Sequence, residues 1–163
     1  MRLADIFHAS RARRWHTNAH MSHTVDPLDG HHGRVARILL HLWPDSTAAI
    51  LRAALTHDDG EHAFADVAGP DKRNMDPALL AAVERIMTEA RVGLWGDDPD
   101  LTDIERDRLD FADKLDALMW VAHHRPERLK TTDWESTHHT LMVQARALGV
   151  WSHVVAIREC LTS

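Results

Sequence analysis

Apolar residues recur every three or four positions along most of the chain, and this spacing is typical of helices that bury one face. The clearest helix is predicted between His31 and Trp43 and ends before Pro44. Its apolar stripe consists of Val35, Ile38, Leu39 and Leu42. A second stripe follows and leads directly into His57 and Asp58, so these two polar residues are predicted at a helix end.

Caps predict where several other helices begin. Asp76 precedes Pro77, and Thr102 and Thr132 are each followed three residues later by a glutamate, which is the capping-box pattern. Turn-forming residues predict a loop over about 16–29 and an irregular stretch over about 60–75. No segment alternates as a strand does, so we expect an all-α helical bundle of six or seven helices. The predicted helices cover about 2–13, 31–43, 46–57, 76–92, 102–124, 132–149 and 151–161.

Helical phase directs four polar side chains toward the interior. With His31 as the reference, Val35 lies about 40° away around the helix, whereas His32 lies about 100° away, at the edge of the stripe. His57 shares a face with the apolar residues that precede it. Asp113 lies on an apolar face of a long helix, where a carboxylate is costly unless it is paired or bound to a metal. The inward polar residues are therefore His31, His57, Asp58 and Asp113.

Composition fits a compact globular protein. The chain has 163 residues, 44% of them hydrophobic, which suits a single domain over residues 1–163. The net charge of -6 argues against a nucleic-acid interface, which normally carries a basic excess. Cys160 is the only cysteine, no apolar run reaches the roughly 20 residues of a membrane span, and no secretory leader follows Met1. We expect a cytoplasmic protein without disulfides or a membrane partner.

The four inward residues suit a divalent metal ion. Histidine occurs 14 times, so ligands are chosen by position and not by count. Two imidazoles and two carboxylates favour Mn²⁺, Co²⁺, Fe²⁺ or Zn²⁺, and the absence of thiolates argues against a closed structural zinc site. An ion with open positions lowers the pKa of bound water and offsets charge on a phosphate oxygen. The set therefore indicates hydrolysis of phosphate esters.

The order of these ligands resembles that in the HD-domain metal phosphohydrolases, whose fold is all-α. The similarity is to their 5'-deoxynucleotidases and to compact phage enzymes that hydrolyse deoxynucleoside triphosphates such as dATP. The segments that carry it include the pair Arg14-Trp15 and residues 31–36, 57–61, 69–72 and 111–115. Two departures affect the substrate pocket: an apparent short insertion over residues 26–29, and Gly30, which stands before His31 where the family often has glutamate.

The resemblance implies a divalent-metal-dependent phosphohydrolase acting on 2'-deoxynucleotides. Such an enzyme either hydrolyses the 5'-phosphate ester of a monophosphate or removes triphosphate from a triphosphate. Glu61 lies one turn beyond His57, where it could orient the attacking water or shuttle a proton. The resemblance implies that Asp66 contacts the sugar. Lys72 and Arg14 would bind the phosphate, and Trp15 would stack on the base. The implied metal ligands are His31, His57, Asp58 and Asp113.

Each of these residues also has a purely structural interpretation. A buried histidine often only hydrogen-bonds a carbonyl group, and Asp58 could simply end a helix. Asp113 could pair with a buried arginine, and Asp66 could cap a loop. Arg14 and Lys72 could be solvated surface residues.

Two other functions remain open from the sequence. One is an HD hydrolase of guanosine tetraphosphate or of a cyclic nucleotide, and the other is a non-catalytic helical metal-binding module. A homo-oligomer is also expected. Four tryptophans are candidates for either subunit contacts or core positions, namely Trp43, Trp95, Trp134 and Trp151.

Overall fold

The computed structural model describes residues 3–64, 66–67 and 69–155. Seven α-helices and no strand lie entirely within these residues, which confirms the all-α prediction. Two short 3-10 helices lie at Asp59–Ala63 and Pro126–Lys130. The α-helices are α1 (Leu3–Ser10), α2 (Leu28–Leu42), α3 (Ala48–Thr56), α4 (Gly69–Asn74), α5 (Pro77–Trp95), α6 (Asp103–His124) and α7 (Thr132–Ala147).

The stretch predicted as irregular over about 60–75 is partly helical. It contains most of the first 3-10 helix and the whole of α4, so that prediction is wrong. Gly69 and Pro70 indicated a turn, but proline is tolerated in the first turn of a helix, where its missing N–H would have no partner. The helix predicted over 151–161 is observed over residues 151–155, and the remainder lies outside the described residues.

Two of the three predicted caps are confirmed. The Asp76 side chain accepts hydrogen bonds from the backbone at the start of α5, and Thr102 and Glu105 form both bonds of a capping box at the start of α6. The capping box predicted for Thr132 is wrong, because the N-cap of α7 is Thr131 and its side chain makes no capping bond. The Thr131 hydroxyl instead donates to the carbonyl of Arg128, 2.7 Å away, in the preceding 3-10 helix.

The chain divides into two compact units. The first comprises Met1–Gly33 and Arg52–Asp100, and the second comprises Arg34–Leu51 and Leu101–Ser163. Helices α2 and α3 each contribute residues to both units. The prediction of one domain over residues 1–163 stays a prediction. Among the described residues, no helix combines the length and the apolar character needed to cross a membrane.

The two units differ in what they bury. In the second unit the Trp43 ring meets the Phe111 ring edge-on, with centroids 6.0 Å apart, so Trp43 is a core residue. The large side chains that are fully buried there are all apolar: Val35, Leu39, Ile50, Phe111, Leu115, Val121 and Leu141. In the first unit, Asp26 and His31 are fully buried together with Met21 and Leu28. Six of the seven buried polar or charged residues among those described lie in the first unit, and the seventh is Asp116 in the second, so the first unit is where a functional site is expected.

Candidate metal centre

Three predicted ligands of the first unit are positioned by two helices. His31 lies in the first turns of α2 and is fully buried. His57 and Asp58 follow directly after the end of α3, and the His57 N–H still donates to the carbonyl of Ala53, 2.9 Å away, as in a continuing helix. The last helical hydrogen bond of α3 therefore fixes the point at which these two residues leave the helix.

The donor atoms of these three residues converge. His31 Nε2 lies 3.3 Å from His57 Nε2 and 3.5 Å from the Asp58 Oδ2. His57 Nε2 lies 3.4 Å from the same Oδ2. Donors bound to one ion at about 2.1 Å lie roughly 3.0 to 3.4 Å apart, so this spacing fits a single divalent ion. His31, His57 and Asp58 could thus hold a metal ion, as predicted.

The hydrogen bonds of the two imidazoles determine which ring nitrogen can bind an ion. His57 Nδ1 lies 3.1 Å from the carbonyl oxygen of Ala54, so Nδ1 carries the proton and Nε2 keeps its lone pair for an ion. His31 Nδ1 instead lies 2.7 Å from Arg14 Nη1, and a guanidinium only donates. An ion at His31 Nε2 leaves the proton of the neutral ring on Nδ1, facing that donor. The Arg14 guanidinium therefore has to turn away when an ion binds.

The charges of the other predicted site residues of this unit act on Glu61. Burial raises the pKa of Glu61 well above its usual range, and the negative charges of Asp58 and Asp66 raise it further. Arg14 and Lys72 act in the opposite direction. One carboxyl oxygen of Glu61 is buried and has no hydrogen-bond partner among the described residues. The predicted acids and bases therefore share one electrostatic environment, which favours the protonated form of Glu61 in the metal-free protein.

Asp66 anchors the segment that carries Arg14. Its Oδ2 accepts a hydrogen bond from the backbone N–H of Trp15, 2.6 Å away, and its carbonyl accepts one from the Thr17 hydroxyl, 2.8 Å away. Trp15 has a φ of 68°, in the left-handed region that a bulky residue seldom occupies. Such a conformation persists only where neighbouring contacts hold it, and Asp66 supplies one of them.

The Trp15 side chain is buried, with 8% of its surface exposed. Its indole N–H donates to the fully buried Asp26, 3.1 Å away, whose Oδ2 also lies 3.7 Å from Arg14 Nη1. The ring is thus held inside by a carboxylate, and its stacking on a base stays a prediction. Asp26 lies in the short insertion and was not predicted as a site residue.

His32 and Asp59 are two further buried residues that the sequence analysis missed. His32 was placed at the edge of the apolar stripe, but it is 2% exposed, and its ring centroid lies 4.9 Å from that of His57. Burial lowers the pKa of His32 to about 3, so the ring is neutral. Asp59 is also 2% exposed, and its Oδ1 lies 3.8 Å from His32 Nδ1. The helical phase of α2 could not reveal this, because the turn that covers His32 lies more than twenty residues later in the chain.

The remaining predicted site residues are placed as follows. Lys72 lies on α4 and is half-buried. Asp113 lies on α6, in the second unit, and is also half-buried. Its carboxylate is chemically suited to a divalent ion, and its role as the fourth ligand stays a prediction.

Comparison of the chain with models of protein families, with curated proteins and with solved structures found no match.

Proposed function

We propose that the chain is a divalent-metal-dependent phosphohydrolase that acts on 2'-deoxynucleotides. The observation that carries the proposal is the convergence of three donor atoms, on His31, His57 and Asp58, 3.3–3.5 Å apart. A non-catalytic metal-binding module would need only these three donor atoms. Acids and bases in the same environment favour a hydrolase over such a module, namely Glu61, Asp66, Lys72 and Arg14.

The ion would be held by His31, His57 and Asp58, and we propose Asp113 as the fourth ligand because the sequence places it where the resemblance requires one. When bound, such an ion lowers the pKa of water and offsets negative charge on a phosphate oxygen. Mn²⁺, Co²⁺, Fe²⁺ and Zn²⁺ all suit this set of nitrogen and oxygen donors.

The side chains around the site would perform the remaining steps. Water attacks phosphorus, the ester P–O bond breaks, and the water proton passes to the protein while the leaving oxygen is protonated. In its protonated form, which burial favours, Glu61 would donate a hydrogen bond to the phosphate or to the attacking water. Asp66 would then accept the water proton or contact the sugar.

Two cations would offset the charge that develops on the phosphate. The Arg14 guanidinium has to leave His31 when an ion binds, and it then presents its paired donors to a phosphate group. Lys72 contributes a point charge. Trp15, buried behind Arg14, would contribute by fixing the direction of that side chain rather than by stacking alone.

A substrate panel with chromatographic separation tests the proposal. The purified chain would be stripped with EDTA, reloaded with Mn²⁺ or Co²⁺ and incubated with deoxynucleoside mono- and triphosphates, guanosine tetraphosphate and cyclic nucleotides. We expect release of phosphate or triphosphate from a deoxynucleotide that depends on the added ion. His57→Ala should abolish it, whereas His139→Ala, an exposed histidine on α7, should not.

Three outcomes would contradict the proposal in different ways. Activity confined to a cyclic nucleotide or to guanosine tetraphosphate would overturn the substrate class. Metal binding without any hydrolysis would favour a non-catalytic module. Equal activity in His57→Ala and the wild type would place the chemistry elsewhere in the chain. The proposed homo-oligomer is tested separately by the molar mass in solution.

A further inference from the structure

One face of α5 packs against the turn that carries the ligands. Met87, Arg91 and Trp95 follow one another at intervals of four residues, so they lie along one stripe of the helix. At Gly60, in the 3-10 helix after the ligands, an added Cβ would lie 2.1 Å from the carbonyl oxygen of Met87. The backbones of the two elements are therefore in direct contact, and α5 supports the turn from behind.

Arg91 binds the peptide group that joins two ligands. Its Nη1 donates to the carbonyl oxygen of His57, 3.1 Å away. That carbonyl belongs to the peptide between His57 and Asp58, so its orientation sets the directions in which both side chains leave the backbone. A second edge of the guanidinium is fixed by Asp98, whose carboxylate oxygens accept hydrogen bonds from Nε and Nη2 at 2.8 and 2.6 Å. The planar group is thus held between the turn and one carboxylate.

Trp95 holds the next residue of the same turn. Its indole N–H donates to the Asp59 Oδ2, 2.7 Å away. The carbonyl of Trp95 accepts from Nη2 of Arg52, 2.7 Å away, and Arg52 lies on α3, the helix that leads into the ligands. The end of α5 is therefore bonded both to the turn and to the helix before it.

We infer that Arg91 and Trp95 are positioning residues that hold the His57-Asp58-Asp59 turn in its ligand geometry and so set the metal affinity of the site. The inference rests on the metal centre in the proposed function. Neither side chain contacts the donor atoms; both act on the backbone or side chain next to them. Partners of this kind typically change metal affinity by about tenfold to a hundredfold when they are removed.

Cobalt affinity tests the inference, since Co²⁺ bound to nitrogen and oxygen ligands has a visible spectrum. In Arg91→Met, which keeps the apolar stem, we expect Co²⁺ to bind about tenfold to a hundredfold more weakly and with an altered spectrum. Arg91→Lys keeps one donor and should recover part of the loss. Arg85→Met is the matched control on the same helix, because Arg85 forms only an exposed ion pair with Glu89.

Two further, more conservative variants test the same support. Trp95→Phe removes the indole donor and keeps the aromatic ring, and it should weaken Co²⁺ binding in the same direction. Asp98→Asn leaves the turn untouched and loosens only the guanidinium, so it should produce a smaller loss. Wild-type affinity in both Arg91→Met and Trp95→Phe would overturn the inference.

Hydrogen exchange separates this inference from the proposed function. In the metal-free protein, the amides of residues 57–63 should exchange faster in Arg91→Met than in the wild type or in Arg85→Met. Unchanged exchange would overturn the positioning role even if metal affinity fell. A wild type that binds Co²⁺ but hydrolyses no nucleotide would overturn the proposed function alone, whereas one that binds no Co²⁺ would overturn both.

Discussion

Gly60 lies where the chain has no room for a side chain. A Cβ there would approach the carbonyl oxygen of Met87 to 2.1 Å, and this oxygen belongs to the backbone of α5, which cannot move aside as a side chain could. We predict that Gly60→Ala lowers the free energy of unfolding by about 2 kcal/mol, the usual size of an overpacking penalty. Urea unfolding followed by circular dichroism measures this change.

Gly93 provides the matched control for that substitution. It lies in the interior of α5, and an added Cβ would meet no atom within 4 Å. Since glycine is a poor helix residue, Gly93→Ala should raise the free energy of unfolding by about 0.5–1 kcal/mol. A Gly60→Ala protein as stable as the wild type, or more stable, would contradict the close contact between Gly60 and α5.

Glu61 gives a prediction about pH. Burial, followed by the charges of Asp58 and Asp66, raises its pKa in the folded protein, so the native state keeps this proton while the unfolded state loses it above about pH 4.5. The group therefore makes the free energy of unfolding fall as pH rises. In metal-free protein, Glu61→Gln should gain stability relative to the wild type between about pH 5 and about pH 8.

Urea midpoints at the two pH values measure this effect of Glu61. Glu84→Gln, which alters an exposed carboxylate on α5, is the control and should follow the wild type at both. A constant difference between Glu61→Gln and the wild type would mean that Glu61 is charged in the folded state.

At the scale of single side chains, the sequence predicted burial correctly where the helix that carries the residue determines it. The phase of α2 correctly directed His31 inward, because the apolar stripe of that helix defines its buried side. The same reasoning missed the burial of His32, which depends on neighbours from a distant part of the chain. Arg91 and Trp95 were missed for the same reason, since their contacts with His57 and Asp59 join residues more than thirty positions apart.

At the scale of helices, a capping box provides a pH-dependent contact. Glu105 accepts hydrogen bonds from the Thr47 hydroxyl at 2.6 Å and from the backbone N–H of Thr102 at 2.9 Å. The Thr47 hydroxyl is the largest of the causes that lower the pKa of Glu105 to about 2. The unfolded state therefore takes up a proton first as pH falls, and stability is lost between about pH 4.5 and about pH 2. Glu105→Gln should lower the thermal midpoint at neutral pH and flatten its fall in that range.

The control for Glu105 is a glutamate in the same sequence pattern that forms no capping hydrogen bond. Glu135 follows Thr132 as Glu105 follows Thr102, but α7 has no side-chain cap. Glu135→Gln should leave the thermal midpoint and its pH dependence close to the wild type. The contrast also shows why capping patterns predict helix starts better than they predict caps: the hydroxyl of Thr131 is occupied by the 3-10 helix before α7.

At the scale of the whole molecule, the sequence predicted the all-α class because helical periodicity and caps are local signals. The convergence of His31, His57 and Asp58, which could hold a metal ion, was also predictable, since helical phase and chain order both pointed to these residues. The contacts that support the site could not be predicted from the sequence. The packing of α5 against the turn of residues 57–63 arises only when distant segments meet, and no periodicity within one element encodes it.

Metal binding should stabilise the fold, because the ligands converge only in the native state. At an ion concentration about a hundred times the dissociation constant, the free energy of unfolding should rise by about 2.7 kcal/mol. For a chain of this size that corresponds to an increase in the thermal midpoint of roughly 5–10 °C, reversed by EDTA. Calorimetry over a series of Mn²⁺ or Co²⁺ concentrations measures it.

Whether Asp113 binds the ion determines whether three or four ligands contribute to that stabilisation. If it is the fourth ligand, Asp113→Asn should retain part of the midpoint shift but require higher ion concentrations, whereas His57→Ala should lose the shift. His139→Ala, exposed on α7, should behave as the wild type. An Asp113→Asn protein with wild-type ion dependence would restrict the metal centre to His31, His57 and Asp58. The midpoint series therefore measures the ligand set without any knowledge of the substrate.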